Sequence, residues 1–304
     1  MEMEIEKKQI RYAFSLAGFM VLLAGVAPQL ITGAIGSTLL QDLDNVFLTM
    51  LLPLAVGYAV LIPVAWQIVK KCERPGPMPE KHKLPFRKMF AWFLAFVALS
   101  RIVLIITTLI QTAITGEYVA DPVTSLQMSS PEMMFVLAVC VAPVAEELVF
   151  RGLLYRVLAP YGGKFFVLTS ALLFALVHMN VSQMPFAFVI GLFFAYVMYR
   201  TGNVLFSMLF HFITNLISGI SVFFLGSETG VQVVAVIVFG IIIVGVIFII
   251  ILLANKRVKQ DIVFEPAVVA PAKTDTAFVN AGVIVAIVAM IVITIINATI
   301  WSAA

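Results

Sequence analysis

Two adjacent carboxylates and a guanidinium, Glu146, Glu147 and Arg151, interrupt the otherwise apolar stretch VAEELVFRGL at 144–153. A charge inside a bilayer costs at least about 2.5–3.5 kcal/mol on insertion scales, so each needs a partner or a water-filled cavity. On a helix Glu147 and Arg151 are i and i+4 and share a face, whereas Glu146 is rotated by about 100° and points elsewhere. The expected division is a structural Glu147–Arg151 pair and a Glu146 carboxylate offered to a cavity. Pro143 removes a backbone donor and is expected to kink or open the helix beside that cavity.

Two histidines lie in similar surroundings. His178 closes the segment FALVH, with Phe174 one turn before it, and His211 opens HFITN, sharing a helix face with Asn215 at i+4. Measured from Arg156, Lys164 and Arg200, straight helices put Glu146, His178 and His211 about 15, 21 and 16 Å into the membrane, so the three can meet. A carboxylate and an imidazole at one water generate a nucleophile near neutral pH. Imidazole and amide donors stabilise the oxyanion of a tetrahedral intermediate. Peptide-bond hydrolysis needs both functions. There is no GxSxG and no Ser or Cys suitably spaced from either histidine, which disfavours a covalent nucleophile. The preferred reading requires no cofactor. A zinc route stays open through Glu146, His178 and His211, although HExxH is absent.

These side chains must be carried by membrane helices. Of 304 residues, 62% are hydrophobic and 12% charged, which excludes an ordinary soluble domain. Apolar runs at 13–35, 46–69, 89–112, 133–157, 165–181, 184–199, 202–225, 231–254 and 278–300 predict an all-α integral membrane protein, a polytopic bundle of about nine transmembrane helices. Lysine and arginine test the sidedness. The connections at 70–88, 156–164, 200 and 255–277 and the segment before the first span hold nearly all of them. The alternate connections hold none. The expectation is an N-terminus inside and a C-terminus outside, in a multi-pass protein of a bacterial-type plasma membrane. Only Arg101 and Arg151 fall within spans. Arg101 is expected to snorkel, cap a helix carbonyl or balance Glu146.

Three regions separate in sequence: 1–129, with three helices and the basic Pro/Gly-containing loop 70–88; 130–225, a four-helix core with the polar residues; and 226–304, two helices joined by the linker 255–277. No internal repeat favours an inverted-repeat transporter. The net charge of +3 matches anchoring beside anionic lipid and carries no nucleic-acid signal. The first span has no cleavage site and reads as an uncleaved anchor. Cys72 and Cys140 suggest neither a disulfide nor a metal site, and His82 is expected to be solvated in the basic loop.

EELVFR, FALVH and HFITN resemble, in order and spacing, the EExxxR, FxxxH and HxxxN motifs of the CPBP intramembrane proteases, also called the CAAX-protease and bacteriocin-processing or abortive-infection family. The resemblance covers about 130–225 and leaves the first three and last two spans unexplained. The family includes the CAAX prenyl endopeptidase. The resemblance implies that Glu146 and His178 activate water, that His211 and Asn215 bind the oxyanion, and that Glu147, Arg151 and Phe174 complete the motifs. The implied function is an intramembrane endopeptidase acting on a membrane-associated or lipidated, CAAX-type peptide. A non-enzymatic scaffold or bacteriocin-immunity protein and a proton-coupled transporter are the alternatives. The sequence implies the lipid bilayer as a partner and leaves the oligomeric state open.

Overall fold

Proline placement sets much of the local structure. The computed structural model describes residues 2–38, 45, 47–71, 78–116, 132, 135–224, 227–254, 264 and 280–302. The first span runs from α1 (Glu2–Val21) through a π-helical turn (Leu22–Val26) into α2 (Ala27–Thr38). A second π turn (Phe47–Leu51) leads into α3 (Leu52–Lys71), and a third (Val136–Val141) leads into α5 (Ala142–Glu147). Each of these wide turns ends one residue before an X-Pro step, at Pro28, Pro53 and Pro143. Proline lacks the N–H that would close the α-helical bond and its ring crowds the preceding turn. Widening that turn by one residue relieves both.

Between them α4 (Phe86–Thr115) is one uninterrupted α-helix. After α5 comes a fourth π turn (Leu148–Leu153), then α6 (Leu154–Leu158) and a short 3₁₀ turn (Ala159–Tyr161). The remaining helices are α7 (Gly163–Leu176), α8 (Gln183–Thr201), α9 (Val204–Val222), α10 (Glu228–Ala254) and α11 (Ala281–Ser302). No strand occurs among the described residues.

Among the described residues six helical stretches are long and apolar enough to cross a membrane: Lys8–Ile35, Leu48–Lys71, Phe86–Thr115, Gln183–Thr201, Val204–Ser221 and Glu228–Ala254. Gly163–Leu176 and Ala281–Ile296 are shorter apolar helices. The stretch through α5 and α6 is the ninth helical segment, and composition alone marks it poorly because three charges fall within six residues. The protein is a multi-pass integral membrane protein. Some boundaries differ from expectation: α7 stops at Leu176 rather than near 181, and α9 occupies Val204–Val222 within the expected 202–225. Most of the linker expected at 255–277, the segment 117–131 and Cys72 lie outside the described residues.

The helices interleave in packing. α4 packs on both α8 and α10, α7 on α8, α9 on α8 and the α5 segment, and α11 on α1. Small residues bring backbones together where no hydrophobic force between helices is available. At Gly18 against Gly282 there is no room for a side chain, and Gly282 N–H donates to Ser15 Oγ at 3.0 Å. Gly245 meets Ala98 and the Leu94 carbonyl in the same way. The ring cluster Phe93, Phe193 and Phe210, with centroids 4.9–5.8 Å apart, ties α4, α8 and α9 together beside the polar centre. The turn from α8 to α9 follows from two residues. Gly202, at φ 60°, takes the left-handed position that ends α8, and Asn203 caps α9 by accepting from Leu205 N–H at 3.0 Å. That turn sets where His211 enters the bundle.

Candidate active site

Glu147 and Arg151 are both fully buried and pair through Arg151 Nη1 and Glu147 Oε1 at 2.9 Å, as the spacing predicts. Arg151 Nη2 donates to the Gly191 carbonyl of α8 at 3.0 Å. Its guanidinium lies over the rings of Phe174 and Phe194, at 4.4 and 5.5 Å from their centroids. The π turn here is the one of the four that no proline follows. Its Phe150 carbonyl accepts from Ser170 Oγ at 2.8 Å, so a neighbouring helix takes up part of the distorted hydrogen-bond pattern.

The structure adds a bond the sequence reading lacked. Glu147 Oε1 also faces His211 Nδ1 at 2.9 Å. A carboxylate accepts, so Nδ1 carries the proton and Nε2 is the open ring nitrogen. Nε2 stands 3.7 Å from Glu146 Oε2, beyond direct hydrogen-bond range but within reach of a small shift or a shared water. Glu146 keeps 17% of its side chain exposed against none for Glu147, which is the division expected from the 100° offset. Phe194 stacks on the His211 ring at 5.0 Å and Phe174 meets it edge-on at 5.6 Å. The imidazole is therefore held by one stacked ring, one perpendicular ring and the Glu147 carboxylate.

His178 lies just past the end of α7. Its Nδ1 donates to the Phe174 carbonyl at 2.8 Å, which leaves Nε2 as a free lone pair. The turn closes with Met179 at φ 49°, a left-handed conformation unusual for a side-chain-bearing residue. The Phe174 ring touches both histidines, with His178 at 5.0 Å, so FxxxH and HxxxN converge on one phenyl ring. Asn215 Nδ2 donates to the Ala138 carbonyl at 2.8 Å. The cause is local: in the π turn Leu137 O accepts from Ala142 N–H, so Ala138 O would next accept from residue 143, which is proline. Asn215 supplies the missing donor.

Among the described residues no group of three His, Cys, Asp or Glu side chains stands where it could hold a metal ion. His211 Nδ1 is committed to Glu147, which leaves Nε2 as the ring nitrogen that could serve as a ligand. Arg101, for which three roles were open, caps a carbonyl: Nη2 reaches Thr214 O at 3.5 Å and Ser218 Oγ at 2.6 Å. His82 is half-buried rather than solvated, with its backbone N–H on the Arg200 carbonyl. Gly191, Phe194, Ser170 and Ser218 were missed from sequence. The one visible signal was a glycine within the large apolar run GLFF.

A cavity of about 580 Å³ lies between α4, α7, α8 and α10, walled by Trp92, Phe96, Phe193 and Tyr196 among others. It is on the opposite face of α8 from the polar centre, since Gly191 and Phe194 face Arg151 and His211 while Leu192, Phe193 and Tyr196 face the cavity.

Fold and site together define a polytopic membrane protein with an intramembrane carboxylate–imidazole centre. Residues 129–217 match the family model described as type II CAAX prenyl endopeptidase Rce1-like, so this segment of the chain is similar to those intramembrane proteases. All seven motif residues fall inside the matched segment, whereas Arg101 and Ser218 fall outside it. No curated protein and no solved structure matches the chain.

Proposed function

We propose that the protein is a glutamate-dependent intramembrane endopeptidase that cleaves a membrane-associated or lipidated, CAAX-type peptide. Glu146 takes a proton from a water whose oxygen attacks the scissile carbonyl carbon, and His178 Nε2 accepts that water's other hydrogen bond. The proton passes from Glu146 to His211 Nε2, so the imidazolium becomes a donor as the oxyanion forms. Asn215, with one N–H on Ala138 O, offers its second to the same oxygen. When the intermediate collapses, the C–N bond breaks and the proton goes to the leaving amine. Glu147 and Arg151 hold His211 in the tautomer this sequence requires, as an orienting acid does behind a catalytic imidazole. No step is routed through a metal.

The observation that carries this reading is the relay Arg151–Glu147–His211, with Nε2 of the fixed ring 3.7 Å from the one partly open carboxylate, Glu146. A purely structural pair would not need a second carboxylate at the ring's open nitrogen. The reading places the N-terminus inside, as the lysine and arginine distribution suggests.

Glu146→Gln tests it with the full-length protein in detergent and a farnesylated cysteine peptide carrying three aliphatic C-terminal residues. Removing the general base lowers the rate by about 10²–10⁴-fold and leaves the melting temperature near wild type, because glutamine keeps the side chain's size and His211 keeps its bond to Glu147. Cleavage at the wild-type rate sinks the assignment.

A further inference from the structure

Arg101 is a buried guanidinium that the reaction above does not use. It projects from the middle of α4 and is 9% exposed. Its contacts are Ser218 Oγ, the Thr214 carbonyl and the face of Phe186 at 5.1 Å. Its Nε has no hydrogen-bond partner, which is true of Arg151 as well, but unlike Arg151 it has no carboxylate paired with it among the described residues. A hydroxyl and a carbonyl are served equally well by a neutral amide, so they do not account for a charge placed inside the membrane. A planar fork of five N–H donors with this much spare capacity matches one ligand chemistry best, a carboxylate taken bidentately.

Its position gives the distance to the cutting site. Ser218 lies seven residues after His211 on α9, within about 20° of two full turns, so both face the same way at a separation of about 10 Å. Asn215 lies between them on that face. Resting on the protease reading, we propose that Arg101, held by Ser218, binds the free C-terminal carboxylate of the substrate and so fixes the register in which the chain end meets the site. A peptide terminus entering the bilayer brings a negative charge. Arg101 neutralises it where water is scarce and holds the scissile carbonyl in register with Glu146 and His211.

The test compares one farnesylated peptide with a free C-terminal acid and the same peptide as its carboxamide. Wild-type protein is expected to show a KM for the acid about tenfold or more below that for the amide, the scale of one lost charge-assisted contact. Arg101→Gln erases the difference, and Arg101→Lys, which keeps the charge without the fork, restores part of it. If wild type treats acid and amide alike, or Arg101→Gln keeps the preference, the anchor is wrong whatever becomes of the protease. A binding measurement separates the two ideas. Glu146→Gln protein is expected to gain thermal stability from the acid and not the amide, and to lose that gain when Arg101→Gln is added. If wild type cleaves neither peptide while this stabilisation holds, the protease reading falls and the carboxylate site stands.

Discussion

The two arginines inside the membrane solve the same problem differently. Arg151 is charge-matched: Glu147 pairs with it, one arm is taken by the Gly191 carbonyl, and two aromatic rings cover its faces, although its Nε, like that of Arg101, has no hydrogen-bond partner. Arg101 has a hydroxyl, a long contact to a carbonyl and one ring, and keeps its charge unmatched among the described residues. Satisfied buried charge rigidifies what it touches, and here that is His211 through Glu147. Unsatisfied buried charge is costly to the empty protein and valuable to whatever anion arrives. The difference sets Arg151 within the framework that holds His211 and leaves Arg101 free for the carboxylate proposed above.

Replacing each arginine with methionine, which keeps much of the volume, is the strongest way to break this comparison. Arg151→Met leaves Glu147 buried without its cation and is expected to destabilise the protein by about 3–5 kcal/mol, with activity lost as His211 comes adrift. Arg101→Met removes a charge that had no ion-pair partner, so its melting temperature in detergent should stay level or rise. Equal losses from the two substitutions would remove the distinction.

A subtler probe pushes on Arg151 without touching its charge. A Cβ at Gly191 would stand 3.0 Å from the Phe174 ring and 3.3 Å from Arg151 Nη2. Gly191→Ala therefore crowds the guanidinium and the phenyl ring that spans both histidines, and is expected to cost about 1–3 kcal/mol. The catalytic rate should fall with it, because the same crowding moves His211 relative to Glu146. A variant as stable and active as wild type would mean that α8 is free to shift, and that Arg151 is held less tightly than its contacts suggest.

How much of this was legible beforehand follows from which forces are local. The helices and the motif positions are written in hydropathy and i, i+4 spacing, so Glu147 with Arg151, and the turn from Phe174 to His178, could be read directly. Glu147 bonding His211 could not, because the partners are 64 residues apart. The π turns were only half legible. Three precede prolines, whose effect is local, but the fourth depends on Ser170 accepting the role of donor to Phe150 O from another helix. Arg101 was visible as an anomaly. Its direction, toward Ser218, was decided by the packing of α4 against the rest of the bundle, for which the sequence carries no periodic signal.

Asn215 lies between the two arginines in kind as well as place, and the smallest expected effect decides which it resembles. Its amide is partly absorbed by Ala138 O, a carbonyl that Pro143 leaves without a donor. Pro143→Ala restores an N–H to that position. In the wild-type background, Asn215→Ala should cost about 1–2 kcal/mol, from a part-buried carbonyl left unmet together with a lost hydrogen bond. In the Pro143→Ala background that stability cost should shrink, since the backbone can serve Ala138 itself. The rate tells the rest. If Asn215→Ala still slows cleavage in the Pro143→Ala protein after its stability effect has gone, the amide's second N–H acts on the substrate, and Asn215 belongs with Arg101. If rate and stability recover together, Asn215 is a helix splint, and the oxyanion is left to His211.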